Sequence, residues 1–117
     1  MAATVIVNTA LSFNTAAVKP ATAAVDAVDG ALITCDKADH KMLIIMENAD
    51  VANSENVTIK AGNAVQGVAD LVVAVAASTT KVITVESGKY KNVSGTNKGK
   101  ILITGTADVK IACVVLP

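Results

Sequence analysis

Between residue 31 and the C-terminus, apolar and polar positions alternate with a period of two, cut at short intervals by turn residues. A strand sends successive side chains to opposite faces, so this pattern predicts strands with one buried face. Residues 56–61 show it most plainly: Val57 and Ile59 point in, Thr58 and Lys60 point out. Residues 31–35 form a strand ended by a polar turn over 36–40. Residues 41–48 are apolar on both faces between charged ends, the mark of a central strand covered on both sides or of one face kept for a partner. Residues 70–76 and 81–86 read as neighbouring antiparallel strands joined by a turn over 77–80, and Ser87 and Gly88 then break the run before residues 89–93. After a Ser/Gly/Asn-rich turn at 94–99 come strands at 100–104 and 109–116, where Lys110 sets the phase and directs Val109, Ile111, Cys113 and Val115 inward. About eight strands and no helical stripe predict an all-β fold, an antiparallel β-sandwich or jelly-roll-like pair of sheets over residues 31–117.

Residues 1–30 differ. Residues 4–7 make a plausible first strand, but the following Ala/Thr/Val-rich stretch carries Pro20 and interleaved β-branched residues, which oppose a long helix. The expectation is an extended N-terminal arm or loop, either a loose terminus or an arm that orders on a neighbouring subunit, and removable without unfolding the sandwich.

Composition narrows the function. The chain is 52% hydrophobic but only 2% aromatic, so its core is thin, and association would add to its stability. Ten lysines balance ten acids and there is no arginine or tryptophan, which argues against a nucleic-acid partner. No apolar run approaches the ~20 residues of a membrane helix, and the first residues lack the basic start of a secretory signal, so synthesis in the cytoplasm and no membrane partner are expected. Cys35 and Cys113 have no metal spacing and read as buried thiols.

Candidate chemistry is sparse. His40 is the single histidine and lies in a charged turn; no Ser or Cys has a base partner, and the carboxylates are scattered at strand ends. Asp36, Asp39, Asp50 and Asn53 do not follow a calcium-loop pattern, and the loop at 62–67 lacks the lysine and glycine spacing of a phosphate loop. The expectation is a non-enzyme with no cofactor, no metal and no catalytic residue. The informative feature is surplus apolarity. Met42 and Met46 share one strand face with Ile44, while Leu43 and Ile45 occupy the other; Val114 and Leu116 lie opposite the inward set of the last strand. With Val5, Val7, Leu11 and Phe13 of the N-terminal segment, these form the expected interface.

From residue 56 onward, the run Val57 to Asn63 with Gln66 and Gly67, the segment Glu86 to Lys91, and the apolar strand ending at Leu116 give a cadence that resembles small virion proteins of tailed bacteriophages, of the head-decoration or minor-capsid type. The resemblance covers about half of the chain. It implies a structural protein, often trimeric, on the outer surface of the capsid, cementing the lattice of major capsid protein. A phage tail or head-fibre subunit, and a carbohydrate- or cell-surface-binding sandwich module, are the alternatives.

Overall fold

The computed structural model describes residues 2–117 and is all-β: two mixed sheets packed face to face. The strands are β1 (Thr4–Ile6), β2 (Thr9–Ala10), β3 (Ala23–Ala24), β4 (Ala31–Thr34), β5 (Met42–Asn48), β6 (Glu55–Ile59), β7 (Leu71–Val75), β8 (Thr80–Ile83), β9 (Lys100–Thr104) and β10 (Val109–Val115). One sheet runs β1-β4-β9-β6-β7; the other runs β2-β10-β5-β8, with β3 also on the β10 edge. The long antiparallel pair β5–β10, in register from Met42↔Val115 to Asn48↔Val109, is the spine of the second sheet.

Isoleucine fills the space between the sheets. Seven of the nine isoleucines are buried, among them Ile33, Ile59, Ile103 and Ile111 with no exposed surface. Branched aliphatic side chains suit the pleat and bury about 1.5–3 kcal/mol each, so a core without aromatics is still substantial. Valine divides differently: ten of the eighteen are largely exposed. The inward set of β10 is as its alternation predicts, Val109, Ile111, Cys113 and Val115 all being buried.

The N-terminal segment is woven into both sheets. β1 lies parallel to β4, β2 lies parallel to β10 at Val114 and Val115, and β3 returns antiparallel on the same edge at Lys110 and Ile111. Ile6 and Val25 enter the core, at 5% and 2% exposure. Between the strands, Asn8 pins the chain by donating from Nδ2 to Thr34 O (2.9 Å) and Asp36 Oδ1 (2.8 Å). The Asp26 carboxylate accepts the backbone N–H groups of Val28 and Asp29 (2.9 Å each), which holds its pKa below the usual carboxylate value and shapes the turn into β4.

Three local expectations are corrected. The sheets are mixed rather than antiparallel, because β1 and β2 reach their partners without hairpins. β7 and β8 are not neighbours: β7 pairs with β6 and β8 with β5, so the turn between them carries the chain from one sheet to the other. Residues Ser87–Tyr90 close a single helical turn, α1, through Lys91 N–H to Ser87 O (2.8 Å). One turn has too few positions to show a helical period.

Both cysteines are free thiols, Cys113 buried in β10 and Cys35 half-buried after β4. Burial pushes the Cys113 thiol from its ordinary 9.0 up to about 11 and raises Cys35 as well. At neutral pH Cys35 is expected to react first with a thiol reagent and Cys113 only on unfolding, as counted by mass spectrometry of the alkylated native protein. A thiol with a raised folded pKa stabilises the fold fully below the unfolded value and loses that contribution as pH climbs through the folded one. Stability measured by urea titration should therefore fall between pH 9 and about 11.

Candidate binding surfaces

Each sheet carries apolar side chains on the face turned away from the core. On the first sheet, the register sets Val5 beside Leu32 and Leu32 beside Leu102, a row across β1, β4 and β9. Their in-strand neighbours Ile6, Ile33, Ile101 and Ile103 are buried, so alternation turns this row outward. Val5 is 62% exposed, and Leu32 and Leu102 are partly so. On the second sheet Ala112, Ile45 and Val82 form the equivalent row across β10, β5 and β8, with Leu43 opposite Val114 in the next outward position. Val82 is 57% exposed and Ile45 partly so, while Ala112 is buried at 2%, so the accessible part of this row is Val82 and Ile45.

The residues expected at an interface therefore separate into groups. Val5, Val7 and Phe13 are exposed; Leu11, Leu43, Ile45 and Leu116 are partly exposed. Met42 and Met46 are buried at 7% and 1%, on the core side of β5 with Ile44, and are unavailable to a partner. Val114 is 7% exposed although it faces away from the core. Nearby, β2 pairs at Val114, Leu11 N–H donates to Val115 O (2.8 Å), and the Thr22 hydroxyl reaches Glu47 Oε1 (3.4 Å). Leu32, Leu102 and Val82 are additions that the sequence reading did not single out.

The polar groups serve mainly as loop fasteners. His40 is exposed in a 3₁₀ turn, Asp39–Lys41. Asp39 accepts Ser87 N–H (3.0 Å), and Asp36 accepts the Asn8 amide. Asp50 accepts the N–H groups of Ala52 and Asn53, which lower its pKa. The carboxylates of Asp50, Glu55 and Asp108 come within 4.8 Å of one another, a grouping of three loop and strand ends absent from the sequence reading. Glu55 there already accepts the Thr106 hydroxyl (3.1 Å).

A groove of about 540 Å³ opens between the loop at 62–70 and α1, lined by Val65, Gln66, Val68, Ala69, Asp70, Lys89 and Tyr90. Its walls meet backbone to backbone. A Cβ on Gly67 would lie 1.9 Å from Gly62 O, and one on Gly62 would lie 2.3 Å from Lys91 O, so only glycine fits at either position. Gly62 N–H donates to Lys89 O (2.9 Å), while Asn63 accepts Val93 N–H (2.7 Å) and donates to Ser94 O (3.0 Å). The two charges in the lining are matched: Asp70 holds Lys60 at 2.8 Å and Lys89 holds Glu86 at 3.0 Å. The Lys60 ammonium and the Ala61 N–H keep the Asp70 carboxyl below its ordinary pKa. Tyr90 is half-buried, packed on the margin of the core.

No protein-family model, curated protein or solved structure matches this chain. Among the described residues, no helix is long and apolar enough to cross a membrane.

Proposed function

We propose that this chain is a non-enzymatic structural subunit that works by binding other protein subunits through its outward apolar rows. The observation that carries the reading is the Val5–Leu32–Leu102 row, joined by exposed Val7 at the β1 edge of the sheet. Single exposed hydrophobics are ordinary on a protein surface, but a row in register across three strands is a contiguous strip of the kind partners cover. The balanced ten-to-ten charge count removes long-range repulsion between copies. The specific assembly proposed is a homotrimer that decorates the outer surface of a tailed-phage head and cements its capsid lattice. The support for that step is the resemblance of the segments around Val57 to Gln66 and Glu86 to Lys91. A protein that binds only the assembled lattice adds its binding free energy to that state alone, and many copies make modest affinity sufficient.

The substitutions Val5→Lys and Val82→Lys test the reading. Both side chains are more than half exposed, so each change should leave the thermal melt within about 0.5 kcal/mol of the parent. Each should shift self-association or head binding about tenfold toward the free chain, a loss of about 1.4 kcal/mol. Undiminished assembly by both variants, measured by sedimentation and by co-pelleting with phage heads, would reject these rows as the interface.

A further inference from the structure

The groove beneath Tyr90 lies apart from the apolar rows and asks for a different occupant. We infer that it is a binding site for a neutral saccharide, at the scale of one or two pyranose rings. Its volume, about 540 Å³, falls within the ~300–1,000 Å³ of small-molecule sites. Its shape is set in advance: the Gly62 and Gly67 contacts and the Asn63 bridges lock the loop against the segment that follows α1, so binding orders little new backbone.

The lining chemistry selects the ligand class. Asp70 and Lys89 each have a local counter-ion, at 2.8 and 3.0 Å, so the lining carries no net charge to favour a phosphate, a carboxylate or a cation. The other polar groups of the lining are neutral: the exposed Gln66 amide and the hydroxyl of half-buried Tyr90. The Gln66 amide sits beside Gly88, where the absence of a side chain leaves it room: its Oε1 lies 3.0 Å from where a Cβ on Gly88 would stand. Around these groups lie the Tyr90 ring and the apolar Val65, Val68 and Ala69. A pyranose matches that arrangement, with one C–H face to set against an aromatic ring and a rim of hydroxyls to pair with an amide and a phenol.

Tyr90 is also the reporter for its own site, being the single tyrosine in a chain without tryptophan. Titrating the full-length folded chain with glucose, galactose, mannose, N-acetylglucosamine and lactose should give a saturable change in tyrosine emission for at least one sugar. An array of immobilised oligosaccharides should show a signal that the same free sugar competes away. Val68→Lys, at an 86% exposed position, should weaken binding at least about tenfold with an unchanged melt. On the array, which does not depend on tyrosine emission, Tyr90→Phe keeps the ring and should retain more binding than Tyr90→Ala. A blank array with no saturable emission change overturns the inference, and so does sugar binding that Val68→Lys leaves intact. Neither result bears on subunit association, which uses other faces.

Discussion

A chain cut back to residues 31–117 is expected to lose its cooperative unfolding transition. The cut removes Ile6 and Val25 from the core, worth together about 3–6 kcal/mol of burial. It also strips β1 from β4 and both β2 and β3 from β10, leaving two apolar strands with bare ladder edges. Domains are stable by only about 5–15 kcal/mol in all, so these losses consume much of the margin. Circular dichroism of the truncated chain should show a broad or absent melt and a tendency to aggregate. A sharp transition near that of the parent would mean that residues 1–30 are a dispensable arm and that their pairing contributes little.

The second large effect is expected at Asn48, the one fully buried polar side chain among the described residues, at 1% exposure. Its Nδ2 donates to Asn53 O (2.9 Å) and Val75 O (3.0 Å), and its Oδ1 accepts Asp50 N–H (2.9 Å). One amide thus ties the end of β5 to the end of β7 and to the loop at 49–54. Its backbone N–H donates to Thr79 O (3.0 Å) in the turn that carries the chain between sheets. Asn48→Ala removes two donors from buried or half-buried carbonyls and should lower stability by about 2–4 kcal/mol, read from urea denaturation. The Ser54 hydroxyl, which also reaches Val75 O (3.3 Å), softens the loss at that carbonyl alone. Asn48→Asp is nearly the same size but presents a carboxylate to two carbonyls, so it should cost at least as much. A loss below 1 kcal/mol in both variants would show that the loop rearranges around the site.

These particulars show which parts of the structure are legible in the sequence. β6 and β10 can be read because each has a polar residue at an outward position, Lys60 just past one strand and Lys110 within the other, that fixes the phase of its apolar neighbours. The pairing of β1 and β2 is not legible, since parallel partners distant in sequence leave no hairpin signature between them. The residues Ala76 to Thr79 look like an ordinary strand-to-strand turn and give no sign that the chain crosses to the other sheet there. The double-sided apolarity of β5 is legible, but its cause is divided: Met42 and Met46 face the core, while Leu43 and Ile45 face outward. Leu32, between buried Ala31 and Ile33, and Leu102, between buried Ile101 and Ile103, are legible in the same way and mark the row on the first sheet. The Tyr90 groove depends on close backbone approach between two loops, and only the spacing of Gly62, Gly67 and Gly88 hints at it.

Sedimentation velocity on the intact purified protein, over a wide range of concentration, addresses the association claim most directly. Copies held together through their apolar rows should sediment as a discrete species of three times the 11.8 kDa chain mass, and Val5→Lys should return them to single chains. A lone 11.8 kDa species at every concentration, equally indifferent to added phage heads, would contradict it.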